Sequence, residues 1–412
     1  MAKTLVIDAD ERTRVPFLRG ILTRSLQEAG LSFEIAYQVA SEVRQQLTDI
    51  ETISTTKLRE MVVKGLGKHS ADHVLVERYE LGNDSSVPVI SVKNRDGVIA
   101  PYSNSQFGRE LEIIGLEPEE TRIAVAKMFD HLVSRGERVI RDDHLGLLTY
   151  RCLHQDPEYG PDIANRYLAW INFCRSGKPL ILLVGGTAAT GKSTIATTLA
   201  SRLDIVRYQS TDMLREVMRM MIPERLVPVL HQSSFNAGKV LPVEPCNGAS
   251  KGSSKARDNR MITGYRSQAE LLSVPCEAVI QRGLKERVSL ILEGVHVQPH
   301  LLSQISQDQD AVVVHVMLAV LKQKELKKRI KGRSTKVPQR RSERYLSSFD
   351  DIFRLQAYLL DEADEHEVPI IVNEDKESVV NDVMKIIVDR LQEDFSSTPD
   401  EVFGRLPAAS AD

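Results

Sequence analysis

Apolar residues follow two spacings along this chain. Over roughly the first 175 residues they recur at helical intervals. In AYQVASEVRQQL (36–47), Ala36, Val39, Val43 and Leu47 share one helical face, and Ile53-Ser54-Thr55 reads as a helix start with a capping hydroxyl. From Gly177 onward, short and nearly continuous apolar runs alternate with helical stretches. The runs are PLILLVGG (179–186), DIVRYQST (204–211), SLILEGV (289–295), AVVVHVML (311–318) and VPIIVN (368–373). Such runs predict a parallel five-stranded sheet covered on both faces, so the expected class is α/β, preceded by a mainly helical region.

The helical region contains a repeat. RVPFLRGILTRSLQEAGL (14–31) aligns with APYSNSQFGRELEIIGL (100–116), pairing Pro16 with Pro101 and Phe17 with Tyr102. ISTTKLREMVVKGL (53–66) aligns with IRDDHLGLLTYRCL (140–153), pairing Ile53 with Ile140 and Leu66 with Leu153. Each block reads as an extended piece, an aromatic-bearing turn and about three amphipathic helices. This pattern resembles the ATP-cone, a small nucleotide-sensing domain. The second copy is closer to it, through the basic hairpin VKNRDG (92–97), where the first has VIDADERTR. The resemblance implies a regulatory nucleotide; a scaffold that only packs on its neighbour is the alternative. The expected boundaries are 1–88 and 89–175 for the two repeats, 176–395 for the α/β domain, and 396–412 for a disordered tail. PCNGASKGSSKARDNR (245–260), rich in Gly, Ser and charge, is expected to be a flexible surface insertion.

With 412 residues, 42% hydrophobic and 27% charged, the chain has the make-up of a multidomain globular protein. A formal net charge of -3 provides no global attraction to nucleic acid or anionic membrane. Cys152, Cys174, Cys246 and Cys276 are widely spaced, which favours free thiols over a disulfide framework or zinc site. No secretory pattern opens the chain and no apolar run nears the roughly 20 residues of a bilayer span, so a cytoplasmic location is expected.

GGTAATGKST (185–194) carries the sharpest chemistry. Gly186 through Ser193 fits G-x-x-x-x-G-K-[ST], with an apolar strand running in and TIATTLASRL running out as a helix. Gly186, Thr187, Ala188, Ala189, Thr190 and Gly191 would curl backbone N–H groups around phosphates, with the helix start and Thr194 beyond them. Lys192 would reach the terminal phosphates and Ser193 would ligate Mg2+. The chain is therefore expected to bind a nucleoside triphosphate, ATP first among them.

Two acidic positions follow. STDMLREVMR (210–219) places Asp212 at the carboxyl edge of the next strand, with Arg215 one helical turn on. Asp212 can take the attacking hydroxyl's proton or hold magnesium, and Arg215 can clamp an anionic acceptor. A plain helix cap is the competing reading of Asp212. LILEGVH (290–296) ends in Glu293-Gly294, a magnesium-side carboxylate followed by a permissive glycine. His296 is either a substrate contact or an ordinary loop histidine. No Asn-Lys-x-Asp follows the fourth strand, which argues against a GTPase switch.

The stretch 321–344 holds eleven Lys or Arg against two Glu. A solvated face, a nucleic-acid strip and a catalytic lid are all compatible with it. No aromatic residues interleave the charges, and the place after the fourth strand suits a lid over the transferring phosphate. Arg333, Arg340, Arg341 and Arg344 are the lid candidates.

Together with LHQSSFNAG (230–238) and ITGYRSQ (262–268), these motifs resemble the archaeal-type 2-phosphoglycerate kinase family. The resemblance covers most of residues 1–395. It implies an ATP- and Mg2+-dependent kinase making 2,3-bisphosphoglycerate, with Ser233, Ser234 and Gln268 on the acceptor side. It also implies that Arg354 and Gln356 lie on a helix leading to the last strand, and that Asn373 sits by the adenine ring. A phosphorylated sugar or polyol acceptor, such as an inositol phosphate, and a non-catalytic ATP sensor are the alternatives.

Overall fold

The computed structural model describes residues 4–404 apart from 8–13, 29–32, 48–49, 70–89, 135–137, 158, 243–253, 301–309 and 337–341. It separates into two units, Met1–Val89 and Ile90–Asp412.

In the first unit, β1 (Leu5–Ile7) pairs antiparallel with β2 (Arg14–Pro16) and parallel with β3 (Thr52–Ser54). Helices α1 (Arg19–Glu28), α2 (Phe33–Gln46) and α3 (Thr55–His69) complete it. The face read from sequence is the packed one: Ala36, Val39, Val43 and Leu47 are all buried. The Lys57 amide donates to Ser54 Oγ at 3.3 Å, the capping hydroxyl expected at the start of α3.

The second unit opens with the same arrangement. β4 (Ser91–Lys93) pairs antiparallel with β5 (Ile99–Pro101) and parallel with β6 (Val139–Arg141). Equivalent hydrogen bonds recur: Phe17 N to Thr4 O and Tyr102 N to Ile90 O, both at 2.8 Å. Leu5 N to Glu51 O and Ser91 N to Arg138 O follow suit, both at 2.9 Å. The repeat is thus one of topology and of individual backbone bonds. Helices α4 (Asn104–Ile113), α5 (Pro118–Ser134), α6 (Asp142–Gln155) and α7 (Gly160–Ser176) follow.

The core of this repeat continues into the α/β domain. Phe173 of α7 meets Phe395 edge-on at 5.6 Å between ring centroids. One apolar cluster runs without a break from Ile90 through one face of the sheet to Phe403. The boundary expected at 175 therefore crosses a continuous core rather than a linker.

The sheet has the order β11-β10-β7-β9-β8 and every pairing is parallel. Its strands are β7 (Leu180–Gly185), β8 (Arg207–Ser210), β9 (Leu290–Gly294), β10 (Val312–Ala319) and β11 (Ile370–Val372). Each matches an apolar run read from the sequence, β10 extending one residue beyond its run to Ala319. Along β7, Leu180, Leu182 and Val184 enter one core while Ile181 and Leu183 enter the other. That alternation explains why the strand is apolar throughout. α8 (Lys192–Arg202) and α14 (Lys376–Asp394) lie against the first core; α10 (Ser254–Glu286) contributes Cys276 and Ile280 to the second. Among these, α9 (Thr211–Met221) follows β8, α11 (Gln323–Lys336) and α12 (Ser342–Ser347) follow β10, and α13 (Phe349–Glu365) leads toward β11.

Two sequence expectations need correction. The insertion read at 245–260 is helical from Ser254, where α10 begins, and Asp258 pairs with Arg354 at 2.8 Å; residues 245–253 lie outside the described residues. The tail expected to be disordered from 396 carries α15 (Pro399–Phe403), with Val402 and Phe403 buried. Pro399 opens this helix, and the Glu401 carboxylate accepts from the Thr398 amide at 2.8 Å. Arg175 and Arg95 both donate to the Val402 carbonyl, at 2.6 and 2.8 Å, and the Arg175 guanidinium lies 5.2 Å from the Phe403 ring centroid. Residues 405–412 lie outside the described residues. Phe403→Ala should destabilise the second unit by about 3–5 kcal/mol through lost burial, visible as a lower Tm; an unchanged Tm would return the tail to a dispensable segment.

Candidate active site

Three strands deliver the site at their carboxyl ends. β7 runs into the loop Gly186–Gly191, β9 ends at Glu293-Gly294, and β8 ends at Ser210. Register sets Gly185 beside Gly294 and both Val184 and Ser210 beside Glu293. Crevices outside such strand ends are where open parallel sheets bind ligands.

The loop is braced from within. Thr190 Oγ1 donates to the Thr187 carbonyl at 3.0 Å, and Lys192 Nζ donates to the same carbonyl at 2.6 Å. Thr187 and Thr190 are fully buried, and Ala189 sits at a φ of 68°. Ala188 is half-buried, while Ser193 and Thr194 reach solvent in the first turn of α8. Asn373, expected beside the adenine ring, instead donates from Nδ2 to the Thr190 carbonyl at 2.7 Å. A Cβ at Gly191, whose φ is +96°, would overlap that amide nitrogen. Gly191 is therefore needed both for its backbone angle and for the close approach of Asn373.

Glu293 joins the loop to the sheet edge. Its Oε1 accepts from Ser193 Oγ at 2.9 Å and from the Tyr208 hydroxyl at 2.9 Å. Burial, then the Glu293 charge, raises the Tyr208 pKa, so the phenol stays protonated as a donor. A Cβ at Gly294, at φ +155°, would overlap Thr211 Oγ1, so the glycine lets α9 start directly against β9. Ser193 and Glu293 together present a hydroxyl and a carboxylate at hydrogen-bonding distance. Two such hard oxygens fit Mg2+, which takes its remaining ligands from water and phosphate.

Asp212 does not cap α9. Ser210 does, accepting from the Asp212 amide at 3.2 Å. The Asp212 side chain is 65% exposed in the first turn, 3.5 Å from Arg215. A carboxylate so open is free to meet a substrate hydroxyl, which removes the capping alternative. Arg215 is mostly buried; its Nη1 donates to the Gln232 carbonyl at 2.9 Å, while its Nε is buried with no partner among the described residues.

His296 and Gln268, expected as substrate contacts, lie deeper. His296 Nε2 donates to Gln268 Oε1 at 2.8 Å, and Nδ1 faces Thr211 Oγ1 at 3.4 Å. Burial, then the Arg215 charge, pushes the His296 pKa down to about 3. Gln268 is fully buried. Ser233 precedes the 3₁₀ turn Ser234–Val240, and its Oγ is buried without a partner among the described residues; Ser234 is itself buried.

Of the lid candidates, Arg340 and Arg341 lie outside the described residues. Arg333 is in the last turn of α11, and Arg344 is exposed on α12. Arg329 of α11, which the sequence reading passed over, lies beside the loop at Gly191. It donates to the Asn373 carbonyl at 2.8 Å and pairs with Glu325 at 3.3 Å. The spacing 325, 329, 333 was visible and places all three on one face of α11. Tyr208 was also missed, although its strand, within DIVRYQST, was read. Gln356 clamps the end of β10, accepting from Val320 N at 3.0 Å and donating to Val320 O at 3.1 Å.

A phosphate loop at the centre of a parallel sheet, with a serine–carboxylate pair and an Asp-x-x-Arg helix at the adjoining strand ends, defines a P-loop phosphotransferase. No protein-family model matches the sequence. Curated relatives named 2-phosphoglycerate kinase do. That of Pyrococcus furiosus is 34% identical over 307 residues, covering 74% of this chain and 95% of the relative. That of Methanopyrus kandleri is 34% identical over 304 residues, covering 73% and 88%. That of Thermococcus kodakarensis is 28% identical over 391 residues, covering 94% and 98%. The chain belongs to the 2-phosphoglycerate kinase family.

Asn373→Ala would leave the Thr190 carbonyl without its donor and open space behind Gly191. It should cost about 1–3 kcal/mol of stability and weaken ATP binding severalfold, measured by thermal unfolding and calorimetric titration. Unchanged ATP affinity would mean that the brace does not shape the loop.

Proposed function

We propose that the chain transfers the γ-phosphoryl group of ATP to the free hydroxyl of 2-phosphoglycerate, giving 2,3-bisphosphoglycerate and ADP. The supporting observation is the Ser193–Glu293 pair beside an exposed Asp212, on a chain whose relatives carry that activity in their names. The loop amides and Lys192 hold the β- and γ-phosphates, and Lys192 exchanges its Thr187 contact for them. Ser193 and Glu293 would hold Mg2+, which would supply charge neutralisation on the donor. Asp212 accepts the acceptor hydroxyl's proton as its oxygen bonds to γ-phosphorus and the bond from γ-phosphorus to the β,γ-bridging oxygen breaks. Arg215, with Ser233 and Ser234 behind it, holds the acceptor's anionic groups. Arg333 lies one helical turn beyond Arg329 and is assigned to the transferring group, as are Arg340 and Arg341, which lie outside the described residues.

The second repeat is proposed as the seat of a regulatory nucleotide. In its hairpin Lys93 is exposed and Gly97 turns the chain at φ 84°. Nucleotide stoichiometry of the full chain reads this directly: two equivalents support it, and one equivalent, abolished with Lys192→Ala, would leave the repeat a scaffold.

Asp212→Asn should lower turnover at least about 100-fold while ATP affinity changes little. Steady-state rates and calorimetry test this, and unaltered turnover would remove Asp212 from the chemistry.

A further inference from the structure

We infer that His296 and Gln268 are positioning residues for the acceptor: they tie the start of α9 to residues 228–240, and neither touches the acceptor. This rests on the reading above only in taking 228–240 as part of the acceptor side.

Both ends of the Gln268 amide are in use. Its Nε2 donates to the Val229 carbonyl at 2.5 Å and to the Gln232 carbonyl at 3.0 Å, while Oε1 accepts from His296. Two carbonyls on the nitrogen side fix the amide orientation, because a flip would set oxygen against both. The orientation in turn fixes the imidazole with its proton on Nε2 and a lone pair on Nδ1 toward the Thr211 hydroxyl. The Tyr265 ring stacks on the imidazole, 15° from parallel with centroids 6.0 Å apart, and Tyr265 donates to the Val295 carbonyl at 2.7 Å. A buried, neutral histidine with both nitrogens engaged is a strut. Of the charged groups acting on it, Arg215 and Lys192 work with burial to keep it neutral, and Asp212 opposes them.

The strut ends at the acceptor side. Gln232 O takes donors from both Gln268 and Arg215, so one carbonyl fixes the arginine beside Asp212 and leads directly into Ser233. Loss of the Gln268 amide would release this carbonyl and, with it, Arg215 and the 228–240 segment. The phosphate loop is braced separately by Asn373, so the donor side would stay in place.

The test uses the full chain. Gln268→Leu should raise the KM for 2-phosphoglycerate about tenfold or more while the ATP KM stays within about twofold. Gln268→Glu keeps the His296 acceptor but loses both carbonyl donors; it should give the same split, and it carries the test if the leucine variant does not fold. His296→Gln, which retains a donor toward Gln268, should restore most acceptor affinity relative to His296→Leu, with a pH profile matching the parent from pH 5 to 8. Amide hydrogen exchange over 228–240 should rise in Gln268→Leu whatever the acceptor proves to be. Unchanged exchange, equal rises in both KM values, or a pH limb lost in His296→Gln would overturn the inference. Raised exchange in a protein that does not turn over 2-phosphoglycerate would support it and fault only the choice of acceptor.

Discussion

Glu293 is the constraint around which the site is built. Its carboxylate, buried at the end of β9, accepts from Ser193 at the start of α8 and from Tyr208 on β8. One oxygen thereby joins the ends of three adjacent strands, because α8 continues directly from the loop that β7 feeds. A buried carboxylate is tolerable only where donors satisfy it. The bond from Ser193 keeps hydroxyl and carboxylate together, and this pair would hold Mg2+ to neutralise charge on ATP. The glycine after Glu293 then lets Thr211 pack without a gap, so Asp212 emerges at the same edge.

Two further braces keep donor and acceptor sides separate. On the donor side, Arg329, Asn373 and Thr190 form a chain of hydrogen bonds behind the phosphate loop. On the acceptor side, Thr211, His296, Gln268 and Gln232 form another behind Arg215. A kinase must bring two polyanions together and keep water from substituting for the acceptor. Independent supports would hold residues 228–240, proposed as part of the acceptor side, without involving the phosphate loop.

What could be read in the sequence follows from how local each signal is. The three inner strands were legible because burial on both faces forces nearly unbroken apolar runs, while the edge strands β8 and β11 are less buried and carry a weaker signal. The phosphate loop was legible because its backbone geometry demands glycines at fixed spacing. The repeat was legible from paired positions such as Phe17 and Tyr102, whose amides make equivalent bonds. The struts were not legible. Gln268 meets His296 across 28 positions, and Asn373 meets Thr190 across 183, so no window of sequence contains both partners. The ordered tail was readable and was missed: Thr398-Pro399-Asp400-Glu401 before Val402-Phe403 has the form of a helix start ahead of an apolar pair. The boundary at 175 failed for a different reason, since a change of pattern marks a change of architecture and not the edge of a core.

The most direct test of the central claim is product identity. ATP with 2-phosphoglycerate, 3-phosphoglycerate, a phosphorylated sugar, an inositol phosphate or water alone would be followed by ADP release, and the products by phosphorus NMR. The account predicts rapid turnover with 2-phosphoglycerate and phosphorus resonances of adjacent 2- and 3-phosphoesters on one glycerate. Turnover with 2-phosphoglycerate no faster than with water, alongside rapid turnover on another acceptor, would contradict it.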